Sequence, residues 1–342
     1  MLILHSKLYI LMHKVPPINT NANQQINTGF GINNADYGGR FVNKDGRPNI
    51  EKKGISILER ISWYHTLLQM PRYKFFLLIF LFYILINLVF AFIYTIIGLE
   101  HLEGIIAHSW TEKFGEAYFF SAQTFTTVGY GRISPKGFIT STVAAFEALI
   151  GLLSFAIATG LFYGRFSKPK AYLRFSENAL LAPFQNGLAI MMRVAPFKNN
   201  SLLDVHAKIT VGIIVEENGL PKNKFFVVDL EYEKINALTL SWTIVHPINE
   251  KSPFYKFTVD DFANTTAEIL VFVTAFDDMF SNTVAARTSY TLKELIIGAK
   301  FLPMYHRNNE QNKTILELDK LNSYKSVDIE SLLSENNQEN NS

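Results

Sequence analysis

Residues 75–98 read FFLLIFLFYILINLVFAFIYTIIG: 24 positions with no charged side chain and a single amide, Asn87. As a helix this stretch rises about 36 Å, enough to cross a hydrocarbon core of about 30 Å. A core helix of a soluble protein seldom runs so far without a charge, so the stretch predicts a membrane span. A second apolar stretch, Gly137 to Phe166, holds one acid, Glu147, and Arg165 near its end. Its small residues and its acid suit a helix that faces other helices, or water on one side. Arg60, Arg72 and Lys74 precede the first span, and Arg165, Lys168, Lys170 and Arg174 follow the second, whereas only Lys113, Arg132 and Lys136 lie between. The positive-inside rule puts both termini in the cytoplasm and the intervening segment outside, in a multi-pass protein of the plasma (inner) membrane.

The rest of the chain dilutes this signal. Over 342 residues the hydrophobic fraction is 48%, an ordinary globular value, so the apolar residues are unevenly spread rather than abundant. The balance of 32 basic against 30 acidic residues argues against a nucleic-acid binder. Zero cysteines exclude thiol catalysis, cysteine zinc sites and iron–sulfur clusters. No nucleophile–base or metal-ligand spacing stands out among the eight histidines, so neither an enzyme nor an organic cofactor is expected. The opening MLILHSKLYILMHKV is broken by Lys7, His13 and Lys14 and does not read as a signal peptide. Residues 16–36 are rich in Asn, Gln, Gly and Pro, and residues 1–38 read as a flexible arm.

Between the spans, Phe114 to Phe125 (FGEAYFFSAQTF) is too short to cross but long enough for a re-entrant half-helix. Thr126-Thr127-Val128-Gly129-Tyr130-Gly131 follows at once. This is the selectivity-filter signature of potassium channels. Backbone carbonyls aimed inward from four chains replace the hydration shell of K⁺, with ion sites at Thr127, Val128, Gly129 and Tyr130. Gly129 and Gly131 permit backbone conformations that other residues resist. The Tyr130 ring is expected to pack behind the filter against Phe119 or Phe120. One chain supplies a quarter of the cage, so a homotetramer with an axial pore is expected.

The chain resembles inward-rectifier potassium channels (the Kir family), in particular bacterial members, over residues 39–305. The carrying residues include Arg40-Phe41-Val42-Asn43-Lys44-Asp45-Gly46, residues 56–70 (SILERISWYHTLLQM), Gly151 and Gly160 nine apart, and Thr159 to Pro169. They also include His246-Pro247-Ile248-Asn249-Glu250-Lys251-Ser252-Pro253-Phe254-Tyr255 and Ala286-Arg287-Thr288-Ser289-Tyr290. The fold class is then an α + β membrane protein: two transmembrane helices with a re-entrant pore helix and filter, followed by a cytoplasmic immunoglobulin-like β-sandwich. Strands are read at Ala207–Val215, Phe225–Tyr232, Leu238–Val245 and Ala267–Phe276, with turns at Asn218-Gly219 and Asn249. Residues 39–70 form a cytoplasmic strand and an interfacial slide helix, 71–168 the pore domain, 169–305 the sandwich and 306–342 a tail.

The resemblance assigns further roles. Gly151 and Gly160 are gating hinges of the inner helix, or else points of close helix packing. Tyr163 closes the helix-bundle crossing, or else sits at the membrane interface. Phe155 stands in the cavity where strong rectifiers carry an acid, which predicts weak block there by Mg²⁺ or polyamines. Asp204 lines the cytoplasmic pore, or else is a solvated strand-end carboxylate; Thr274 takes another acid position. Residues 275–284 form a constriction loop. Arg60, Arg72, Lys74, Arg165, Lys168 and Lys170 bind anionic lipid or phosphoinositide, or else only fix topology. Apart from the resemblance, Glu147 is a candidate as an ionisable residue within a span, facing the tetramer interior near the base of the filter, or else close to the outer interface. Gln123 replaces a glutamate common in the family, and Arg132 follows the filter where an acid is usual, which calls for a partner such as Glu116. The implied function is passive K⁺ conduction; the alternative is a non-conducting or ligand-gated membrane sensor on the same scaffold.

Overall fold

The structure, a computed structural model, describes residues 19, 21–24, 40–54, 56, 62–217 and 220–329. The chain divides into two compact units, one of residues 52–168 and one formed by residues up to 51 together with those from 169 onward.

The first unit is helical. Helix α1 (Trp63–Gln69) is the described part of the expected slide helix; residues 57–61 lie outside the described residues. Helix α2 (Arg72–Ile97) and helix α4 (Phe138–Phe166) are the two spans, about 39 and 44 Å long at 1.5 Å per residue. Both leave most of their Phe, Leu and Ile side chains uncovered, as surfaces for lipid and for further helices require. Helix α3 (Trp110–Phe125) is the half-helix, started by a capping box in which Ser109 and Glu112 satisfy each other's backbone N–H. A buried cluster of Phe90, Ala91, Tyr94, Leu102, Ala117, Phe120, Ile133 and Ala144 binds α2, α3 and α4 together.

The second unit is a β-sandwich. Its strands are β1 (Leu173–Phe175), β2 (Ala179–Phe184), β3 (Gly187–Pro196), β4 (Leu202–Glu217), β5 (Leu220–Val228), β6 (Lys234–Ala237), β7 (Trp242–Pro247), β8 (Ala267–Asp277), β9 (Asn282–Thr291) and β10 (Leu295–Ile297). One sheet runs β9-β8-β4-β5 with β6 also on β4; the other runs β10-β2-β3-β1 with β7 also on β3. Alternate residues of each strand form the common core: Ile190, Met192 and Val194 from one sheet, Ile209, Val211, Ile213, Ile269, Val271 and Val273 from the other. This period of two is what lets each sheet bury one face. A short helix, α5 (Val259–Asn264), follows β7.

The structure departs from the sequence reading in several places. The strand expected around residues 40–46 is a turn closed by a single bridge between Val42 and Pro48, and the strand expected at 225–232 stops at Val228. Of the expected strand 238–245 only the part from Trp242 onward is a strand, β7; β6 ends before it at Ala237, and Leu238 lies buried in the connection. The expected tail from 306 is folded as far as Ile329. Strands β11 (Ala299–Phe301) and β14 (Tyr324–Ser326) pair, as do β12 (Tyr305–Asn308) and β13 (Lys313–Leu316), and Leu321 packs with Met304 and Ala195. The expected flexible arm is held at residues 19 and 21–24: Asn19 donates to the Glu250 and Ser252 carbonyls, and Ala22 enters the sandwich core. The turn expected at Asn218-Gly219 lies outside the described residues.

Candidate functional site

The hexamer 126–131 begins at the C-terminus of α3. Its amides turn back onto that helix: Thr126 N–H bonds the Ala122 carbonyl, Thr127 N–H that of Thr124, and Val128 and Gly129 N–H both bond Gln123, at 2.9 and 3.4 Å. φ is positive at Thr127 (59°), Gly129 (54°) and Gly131 (82°), with no positive value at Val128 or Tyr130 between them. Alternating hands of backbone twist aim successive carbonyls to one side instead of opposite sides. Among the described residues, none of the six carbonyls accepts a hydrogen bond. A row of free carbonyl oxygens can strip and replace the water of a monovalent cation. Thr127, a β-branched residue in the left-handed region, carries strain of about 1–2 kcal/mol that the two Gln123 bonds help to hold.

Tyr130 does not pack within its own chain as expected; it is 80% exposed, while Phe120 stacks edge-on against Tyr94 at 5.2 Å. Val128 is also half-exposed, so one protomer forms one wall of the filter and leaves it open. Beyond the filter, the Arg132 guanidinium turns aside to Glu116 at 3.0 Å, and the Glu116 carboxylate also accepts from Ile106 N–H. Arg132 thus has the partner that its position demands.

The inner helix buries Thr140, Ala144, Glu147 and Gly151, spaced so that they share a face. Glu147 is fully enclosed within the protomer. It accepts from the Tyr94 hydroxyl at 2.6 Å and contacts the Ser121 hydroxyl, which also reaches Asn87 at 3.0 Å. Gly151 lies against the end of the half-helix: a Cβ there would stand 2.0 Å from the Phe125 carbonyl oxygen. Gly160 meets no atom of its own chain within 4 Å. Past Gly151, α4 buries nothing, and Phe155, Thr159 and Tyr163, four apart, are exposed.

The basic residues part company. Arg72, Lys74, Lys168 and Lys170 are exposed, and Arg60 lies outside the described residues. Arg165 instead donates to the Leu67 carbonyl at 3.0 Å and to the Met70 carbonyl, with its guanidinium 4.9 Å over the Phe75 ring. Its donors tie the end of α1 to the end of the inner helix. Sequence reasoning missed this, since the acceptors are backbone atoms.

In the sandwich unit, Asp204 is exposed with φ at 49° and is ion-paired to Lys234, with His206 at 3.4 Å. The Lys234 ammonium, then His206, hold its carboxyl below the usual range. Thr274 stands opposite His206 across β8 and β4, where both line a cavity of about 270 Å³ with Lys208, Glu233 and Phe272. The 275–284 loop is the tight end of the β8–β9 hairpin, where Asp277 Oδ1 accepts from Met279 and Phe280 N–H. A wider cleft of about 940 Å³ carries Lys44, Lys170, Arg174 and Arg287 against Asp45, Glu177 and Glu294. Burial pushes Lys44 down to about 8, against the pull of Glu294.

Residues 173–342 match the inward rectifier potassium channel C-terminal domain, and residues 78–168 match the ion channel family. The chain is 33% identical to the inward rectifier potassium channel Kirbac3.1 of Paramagnetospirillum magnetotacticum, over 78% of this chain and 89% of that one. It is 27% identical to the ATP-sensitive inward rectifier potassium channel 12 of Bos taurus, over 80% of this chain and 69% of that one. With the counterpart of Gallus gallus it shares 26%, over 87% and 74%. Two spans, a half-helix ending in a row of free carbonyls, a β-sandwich and this extent of likeness lead to one conclusion: the chain belongs to the inward-rectifier potassium channel family, a family of ion channels and not of enzymes.

Proposed function

We propose that four copies of this chain enclose an axial pore through which K⁺ diffuses passively, with ion sites formed by Thr127, Val128, Gly129 and Tyr130. The observation that carries this reading is the alternating backbone of 126–131, which turns its amides to α3 and leaves its carbonyls free. A carbonyl ring replaces the hydration shell of K⁺ without a net protein charge, so the ion enters and leaves readily. The half-helix adds its negative C-terminal end behind the filter.

Both termini lie in the cytoplasm of a plasma (inner) membrane, in keeping with the Lys and Arg that flank the spans. Gating lies at Tyr163, where four rings narrow the inner mouth, with bending at Gly160. At Gly151 the contact with Phe125 favours packing over bending. Phe155 offers internal Mg²⁺ or polyamines no charge in the cavity. Exposed Arg72, Lys74, Lys168 and Lys170, together with Arg60, attract anionic lipid or phosphoinositide by about 1 kcal/mol each. Arg165 contributes by coupling α1 to α4.

The test is flux through purified protein in liposomes. Selective K⁺ over Na⁺ flux, blocked by Ba²⁺ and dependent on anionic lipid, is the expected result. A tetramer that conducts neither ion, with or without anionic lipid, would sink this reading in favour of a membrane sensor on the same scaffold.

A further inference from the structure

Glu147 is a fully buried acid in a membrane span, and passive conduction requires no proton transfer that would use it. It stands on α4 and reaches two other helices at once, α2 through the Tyr94 hydroxyl and α3 through the Ser121 hydroxyl. Ser121 also lies 3.0 Å from Asn87 Oδ1 on α2, and the Asn87 amide donates in turn to the Tyr83 carbonyl. Among the described residues no cation pairs with the carboxyl group.

The hydrogens can be counted. Tyr94 spends its hydroxyl hydrogen on Glu147 Oε2. Ser121 has one hydrogen and two acceptors in reach, Glu147 Oε1 and Asn87 Oδ1. All three contacts are hydrogen bonds only if one more hydrogen is present, and a proton on Glu147 Oε1 supplies it. The chain then runs without a gap: Tyr94 to Glu147, Glu147 to Ser121, Ser121 to Asn87, Asn87 to the Tyr83 carbonyl. Every buried polar atom in it is satisfied, which a buried network requires to be stabilising.

The network joins α3 at Ser121, about one turn before the filter begins. Ser121 immediately precedes Ala122 and Gln123, whose carbonyls hold the amides of Thr126, Val128 and Gly129. We propose that Glu147 is a positioning residue for K⁺ selection: as a hydrogen-bonded acid shared by three helices, it fixes the end of α3 and so the placement of the filter carbonyls. This rests on the reading of 126–131 as a K⁺ filter, and the wild-type protein in the same assay tests that reading separately.

Wild type, Glu147→Gln, Glu147→Ala, Ser121→Ala and Tyr94→Phe would be purified, matched for tetramer content and compared for the ratio of K⁺ to Na⁺ flux in liposomes. Glutamine accepts from Tyr94 and donates to Ser121, so it should keep the ratio within about twofold. Glu147→Ala should lose it about tenfold or more, the scale of one buried hydrogen bond left unmade. Ser121→Ala and Tyr94→Phe, which remove one hydroxyl each, should fall between and decide the matter if Glu147→Ala does not assemble. A wild-type ratio in assembled Glu147→Ala, or in both hydroxyl variants, would overturn the proposal; so would a glutamine variant as unselective as alanine. An unselective wild type would overturn the filter reading itself.

Discussion

Gly151→Ala should damage the filter, whereas Gly160→Ala should not. At Gly151 the added methyl group would lie 2.0 Å from the Phe125 carbonyl oxygen, 2.8 Å from its carbon and 3.1 Å from its Cα. An ordinary contact needs about 3.4 Å, so the inner helix and the half-helix must part by about 1.4 Å. Phe125 is the last residue of α3, directly before the filter. That movement exceeds the tolerance of about 0.5 Å for a functional constellation. Overpacking of this kind costs about 1–3 kcal/mol, against about 1 kcal/mol gained from alanine's helix propensity. Gly160 has no atom of its own chain within 4 Å, so alanine there meets no clash inside the protomer and carries only the propensity gain. The two variants should therefore differ by about 1–3 kcal/mol per protomer, in opposite directions from wild type. Thermal melting of the purified tetramer, paired with K⁺ and Na⁺ flux, reads both effects. A hinge at Gly151 would instead change open probability alone; unchanged melting and an unchanged K⁺/Na⁺ ratio in Gly151→Ala would refute the packing argument.

Three further outcomes can be checked. Glu116→Gln frees Arg132 beside the outer mouth, so K⁺ flux should drop at low ionic strength and recover at about 1 M salt, where charges are screened within about 3 Å; a salt-independent flux would remove Arg132 from the ion's path. Lys234→Met strips Asp204 of its closest cation, so block by internal Mg²⁺ or polyamines should strengthen several-fold, and identical block would place Asp204 away from the pore. Acid should loosen the sandwich through His246, whose Nδ1 donates to the Asp229 carbonyl and whose Nε2 accepts from Ser252, with burial pushing it down to about 4. The unfolded chain binds this proton near 6.5, so stability is complete above that pH and declines as pH falls toward 4, by about 3 kcal/mol in all. Equilibrium unfolding of the whole protein at pH 7 and pH 4.5 would show it, and His246→Gln should flatten the decline.

What the sequence disclosed and what it hid have physical reasons. The spans were legible because crossing a bilayer imposes a length and forbids charge. The filter was legible because its chemistry lies in the backbone, which glycine at 129 and 131 betrays directly. Glu147 could be singled out as an acid in a span, but its partners lie 26 and 53 residues away on other helices. Nothing local to Gly151 reveals the close approach of the Phe125 carbonyl, which lies on another helix. Arg165 looked like its exposed basic neighbours because its acceptors are main-chain atoms of α1 and the turn after it. The strands beyond 305 escaped notice because that stretch is polar, with few apolar anchors such as Leu316 and Leu321.

The chain leaves the sandwich unit after Glu51 to build the helical unit and re-enters it at Pro169. The outgoing segment is held at residues 41–44. Phe41 and Val42 N–H bond the Glu268 carboxylate, and the Val42 and Lys44 carbonyls accept from Ser289 and Thr288. Each protomer's two units are thus joined by a pair of covalent tethers, each anchored in the same folded body. A body on one tether can swivel freely; a body on two can turn only by twisting both. Each protomer commits two separate stretches of backbone to the same sandwich, one on the way to α1 and one on the way from α4.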